Sequence, residues 1–178
     1  MRRPYGGGVP WQPHPHEVPA ALPAPGLIWH DDDVAVVLDD FRVYSDMFEF
    51  TVVIMRHRAD KPPGVLTGTP RSHLIMYDRP DDGTVPDDFL RVGLLLADGR
   101  KVTNLDDHPS DADLVLVRGG GTRGYDSEEQ ALRLWPLPPP GRLELVLEWP
   151  AYGTGELRVP LDADAIRAAA TQAVRVWP

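Results

Sequence analysis

The segment Arg133–Gly153, RLWPLPPPGRLELVLEWPAYG, admits two readings, and the choice between them decides the fold. Read for its prolines it is a docking peptide; read for its apolar pattern it is two strands and a connector. Leu132 and Leu134 alternate with Arg133 and Trp135, and Leu143, Leu145, Leu147 and Trp149 alternate with Arg142, Glu144, Val146 and Glu148. Successive side chains of a strand point to opposite faces, so this alternation marks two half-buried strands. A polyproline ligand needs exposure and unstructured flanks, which strands on both sides deny it. Pro138-Pro139-Pro140-Gly141 is therefore a stiff connector between core strands, and Leu143, Leu145, Leu147 and Trp149 are expected in the core. Glu144 and Glu148 share the other face, about 13 Å apart at strand rise, too far for a glycosidase carboxylate pair. They read as the solvated face of an outer strand.

Working outward, the same period recurs. Val34, Val36 and Leu38 share a face, the doublet Asp39-Asp40 interrupts with a bulge or turn, and the run resumes at Phe41. Ser45-Asp46 links this run to Met47–Met55, where Phe48, Phe50, Val52 and Ile54 point one way, so a hairpin is expected. Leu74–Tyr77 is a short strand between loops. Phe89–Ala97 alternates and ends at Asp98-Gly99, a strong hairpin dipeptide, with Arg100–Leu105 returning beside it. Leu114–Val117 is a strand, Gly119–Gln130 a loop, and Ala131–Leu137, Arg142–Trp149 and Gly155–Leu161 complete the set.

Short strands at this spacing predict an all-β fold: an antiparallel two-sheet sandwich, immunoglobulin-like or jelly-roll-like, of eight or nine strands. Only the end changes period. Asp162 is placed as an N-cap, Leu161 and Ile166 as a hydrophobic staple, and Ile166, Ala169, Ala170, Ala173 and Trp177 fall on one stripe of a C-terminal helix over about 162–176. Residues 1–26, rich in proline and without a period, form an extended arm, with Tyr5 and Trp11 packing on a single domain over 27–178.

Composition narrows the chemistry. The chain of 178 residues has no cysteine, which excludes disulfides, thiolate nucleophiles and iron–sulfur centres. Its formal charge of −9 comes from 20 Asp and 7 Glu against 18 basic residues, and such a surface repels nucleic acid. The start carries two arginines but lacks the apolar core of a signal peptide, and no run is long enough to span a membrane, so a cytoplasmic protein is expected.

The acidic groups sit in expected loops. Asp106, Asp107, Asp111 and Asp113 come nearest to a calcium loop, though the glycine and bidentate glutamate of that motif are missing. Aspartates also initiate turns, and that role accounts for most of them. Gly119-Gly120-Gly121 is followed by no Lys-Ser or Lys-Thr, so it is not a phosphate loop. The histidines 14, 16, 30, 57, 73 and 108 show no metal-ligand spacing, and no serine has the context of an activated nucleophile, so no catalytic residue is assigned. The aromatic residues Trp29, Tyr125, Trp135 and Tyr152 are candidates for contact with a ligand or partner.

The run Leu134–Gly141, the later Glu148-Trp149-Pro150-Ala151 and Glu156, and the alanine-rich helix opened by Asp162 and ending in Trp177 resemble a family of uncharacterised actinobacterial proteins, from about Val34 to the C-terminus. The resemblance implies a β-rich fold with a terminal helix and carries no activity or cofactor. The expectation for function is a non-catalytic module that binds a protein or small ligand through loop ends or an exposed sheet face. The alternative is a calcium-dependent, glycan-recognising or hydrolase-like domain using the acidic loops.

Overall fold

Hydrogen-bond pairing begins earlier in the chain than the expected domain start. In the computed structural model, which describes residues 11–13, 15–57, 84–87, 89–106, 111–124 and 126–177, the proline-rich arm already contributes β1 (Glu17–Val18) and β2 (Ala20–Leu22). β3 (Gly26–His30), β4 (Val34–Val43) and β5 (Phe48–Arg56) follow, then β6 (Arg91–Leu95) and β7 (Lys101–Thr103). β8 (Val115–Arg123), β9 (Ser127–Trp135), β10 (Arg142–Glu148) and β11 (Glu156–Asp162) lead to α1 (Ala163–Ala170) and β12 (Val174–Arg175). The expected strand Leu74–Tyr77 lies outside the described residues.

All pairings are antiparallel, and the fold is an all-β sandwich with one C-terminal helix. One sheet has the order β2-β4-β5-β9-β8, with β3 also on β4; the other has the order β11-β10-β6-β7. A third, two-stranded ribbon joins β1 to β12. The strands outnumber the eight or nine expected because short segments pair at both chain ends. β2 and β3 also form one line along β4, interrupted at Pro23 and Pro25, which have no N–H to give a ladder. The break falls opposite the β4 bulge, where the register shifts between Asp39 and Arg42 and Asp40 takes a φ of 51°.

The hairpins follow the local chemistry. The Tyr44 N–H donates to Met47 O at 2.9 Å across Ser45-Asp46, and Leu96 N–H donates to Arg100 O at 2.9 Å across Asp98-Gly99, with Gly99 at a φ of +84°. Phe48, Phe50, Val52 and Ile54 are fully buried, as are Leu132, Leu134 and Leu145, with Leu143, Leu147 and Trp149 at 1 % exposure. These faces meet between the sheets as one core.

Two elements differ from the sequence reading. The expected loop Gly119–Gln130 is instead a hairpin of β8 and β9 turning at Gly124, whose N–H donates to Ser127 O at 2.8 Å. At Gly119 β9 leaves no room for a side chain: a Cβ would sit 3.0 Å from the Arg133 guanidinium and 3.1 Å from Ala131 Cβ. Gln130 Nε2 donates to the carbonyls of Gly119 and Gly120 at 3.1 and 3.3 Å, holding the bulge in place of the ladder. The helix is also shorter than expected. Its cap is as read, Asp162 Oδ1 accepting from Ala165 N–H at 2.8 Å, and Ile166, Ala169 and Ala170 are buried. It stops at Ala170, however, and Val174-Arg175 pair with β1, so Trp177 leaves the stripe and stands 61 % exposed, edge-on to His16. Competing strand pairing takes β-branched Val174 and its neighbour Arg175 from the last helical turns. Asp162→Ala should cost about 1 kcal/mol of stability, read by urea denaturation, since it leaves an orphan first-turn N–H; an unchanged midpoint would show that the cap carries no load.

The proline segment crosses from one sheet to the other, passing from β9 through the cis Trp135–Pro136 bond to β10. Leu137 N–H donates to Asp46 O at 3.0 Å and Arg167 Nη1 donates to Pro138 O at 3.1 Å, which ties connector, hairpin and helix together at one end of the sandwich. Near the far end of β10, Trp149 lies 4.3 Å from Tyr152, and Tyr152 lies 6.2 Å from Trp29 of β3, bridging the two sheets. Among the described residues no helix is long and apolar enough to cross a membrane.

Candidate functional site

The outer face of the four-stranded sheet carries a depression built by strand register. Alternation turns Arg91, Gly93 and Leu95 of β6 outward, while Val92 and Leu94 enter the core. Pairing then aligns three rows: Glu156, Glu148 and Arg91; Arg158, Val146, Gly93 and Thr103; Pro160, Glu144, Leu95 and Lys101. The middle row dips at Gly93, which has no side chain. A Cβ there would lie 3.3 Å from Val102 O and 3.4 Å from Thr103 Cγ2, so the neighbouring strand closes in where the side chain is missing. Val85 and Leu105 also line the cleft, which holds about 510 Å³, within the range of small-molecule sites.

Its floor is apolar and its rim is ionic. Arg91 Nη1 donates to Glu148 Oε2 at 3.0 Å, and Arg91 Nη2 lies 3.8 Å from Asp87. Arg158 binds Glu156 at 2.5 Å and reaches Glu144 at 3.1 Å, while Arg142 donates to Glu144 at 2.6 Å. β10 is thus a central strand and not an outer one, and Glu144 is buried between two guanidiniums rather than solvated. The hydrogen bond from Arg142, followed by its charge and the Arg158 contacts, holds the Glu144 carboxyl below the usual glutamate range against the opposing effect of desolvation. A lowered folded-state pKa contributes stability that is present above the unfolded value and lost as pH falls through the folded one. Glu144→Gln should therefore flatten the acid limb of a melting-temperature profile; an acid limb as steep as that of the unmodified protein would assign it to other carboxylates.

A second hollow of about 540 Å³ lies on the six-stranded sheet, lined by Leu27, Ala35, Met55 and the Asp31–His30 corner. Asp31 is occupied there as a turn former, its Oδ1 accepting from the N–H groups of Asp33 and Val34 at 2.8 and 2.7 Å.

The residues singled out from sequence are distributed around the molecule. Trp29 and Tyr152 come together, but half-buried and packed on one another. Trp135 packs at 6.2 Å against Trp11, which is buried, so this part of the arm docks on the domain; Tyr5 and Tyr125 lie outside the described residues. Asp106 Oδ2 accepts from Thr103 N–H at 2.6 Å and closes the turn after β7. Asp111 and Asp113 are exposed, Asp107 lies outside the described residues, and among the described residues no group of three or more His, Asp or Glu is placed to hold a metal. The cleft residues Gly93, Leu95, Lys101 and Val146 went unmarked in the sequence. One signal was present: a glycine inside an alternating strand marks close approach or open space above the sheet. No protein-family model, curated protein or solved structure matches the chain.

Proposed function

We propose that the protein is a non-catalytic binding module that holds a small ligand in the cleft on the outer face of its four-stranded sheet. The observation that carries this reading is the trough at Gly93, with Val146 and Leu95 beside it and ion pairs around the rim. Apolar ground ringed by a few fixed polar groups is the usual build of a small-molecule site, where burial supplies affinity and the rim sets orientation. The rim carboxylates Glu148 and Glu156 are each held by an arginine, which suits them to orienting a ligand rather than to moving a proton.

Amide chemical-shift mapping of the full chain against a fragment library tests it. Bound fragments should perturb residues 91–95, 101–105 and 146–158 together. Shifts that cluster on the six-stranded sheet or on the β1–β12 ribbon would move the site elsewhere.

A further inference from the structure

The charges that line the cleft identify a class of ligand. Three cations line it, Arg91, Lys101 and Arg158, with two carboxylates, Glu148 and Glu156, on a protein whose formal net charge is −9. Both arginines are engaged by carboxylates: Arg91 holds Glu148 and lies near Asp87, and Arg158 holds Glu156 and Glu144. Among the described residues Lys101 meets no carboxylate. It stands exposed on β7, directly opposite Leu95 and two residues along the strand from the Gly93 trough. A lysine stem lies along apolar surface while its ammonium stays at the water boundary, which places a point charge at one end of an apolar trough.

Resting on the reading of this cleft as a ligand site, we infer that its ligand is a mostly apolar small molecule with a single anionic group, the apolar body lying over Gly93, Val146 and Leu95 and the anion meeting Lys101. A cationic ligand would have to displace Arg91 or Arg158 from a partner. A neutral one would leave the Lys101 ammonium without a counter-charge. A polyanion would meet, beyond Lys101, only cations already held by carboxylates among the described residues, and a repelling acidic surface.

Calorimetric titration of the full chain with decanoate, decanol and decylamine, all below micellar concentrations, tests the inference. Decanoate should bind at one site and more tightly than either comparator. Lys101→Glu should weaken decanoate roughly fivefold or more, the scale of an exposed ion pair turned repulsive, and leave decanol within about twofold. Val146→Glu should weaken all three, and Val146→Thr, which keeps strand shape and branching, should weaken them less should the glutamate variant fold poorly. A lysine on an edge strand also blunts strand pairing, but that role would alter self-association in sedimentation and not the preference for decanoate. Equal binding of the three compounds, or decanoate binding indifferent to Lys101→Glu, overturns the anionic ligand while the cleft stands, provided the Val146 variants still weaken binding. Binding that ignores both Val146 variants, or no binding by any of the three, overturns the cleft as well.

Discussion

Trp149→Ala should lower the unfolding free energy by about 3–5 kcal/mol, the range for deleting a buried tryptophan. The side chain is 1 % exposed and among the largest that are fully buried, so its removal leaves a void that neighbours on two strands fill only in part. Its ring also supports Tyr152 at 4.3 Å, and through it Trp29 at 6.2 Å, so the substitution loosens the aromatic bridge between the sheets as well as the core. For a domain of this size the loss corresponds to a fall in melting midpoint of roughly 6–20 °C. Urea denaturation gives the free energy directly. A loss under about 1 kcal/mol would mean that the sheets close without the bridge.

Glu128→Ala should cost a comparable amount, about 3–5 kcal/mol, for a different reason. Glu128 pairs across the ladder with Ile54, a core residue, so its carboxylate points between the sheets and is fully buried. Arg123 lies 3.2 Å away and Arg56, itself only 11 % exposed, lies 3.7 Å away. Removing the carboxylate strands the Arg56 guanidinium in a low-dielectric site, and that desolvation governs the cost more than the lost attraction. The same logic separates the pair from the packing: the double substitution Glu128→Leu with Arg56→Met should recover most of the stability, since Arg123 is 42 % exposed and reaches water. A double variant as unstable as Glu128→Ala would show that the carboxylate orders the β8–β9 hairpin itself.

Much of this fold was legible because it depends on local pattern. The strand faces of β4, β5, β9 and β10 follow from period-two alternation, and the two hairpins from Ser45-Asp46 and Asp98-Gly99. The helix start follows from Asp162, whose side chain caps it. Misreadings arise where a distant segment wins over local preference. Gly119–Gly121 carry the composition of a loop, yet they run inside β8: Gly121 pairs with Gln130 of β9, and the carbonyls of Gly119 and Gly120 accept from the Gln130 side chain at the bulge. Val174 and Arg175 continue a helical pattern, yet β1, more than 150 residues earlier in the chain, draws them into a ribbon. Glu144 has the look of a surface residue, yet β6 and β11 flank its strand and two arginines cover it.

The sequence by itself determined the all-β class, the capped helix, the inward faces and the placement of the prolines as a connector between two strands, because each depends on neighbours within a few residues. Only the tertiary structure decided that the connector crosses between sheets, that Trp149 reaches Trp29 through Tyr152, and that a cleft exists. The cleft depends on register: Gly93 lies between Val146 and Thr103, drawn from strands β10 and β7, and Lys101 stands opposite Leu95 in the next row only because β6 and β7 pair as they do. Register is fixed by pairing across the whole sheet, where a slip of one residue turns every side chain to the other face, and no short window of sequence contains that information.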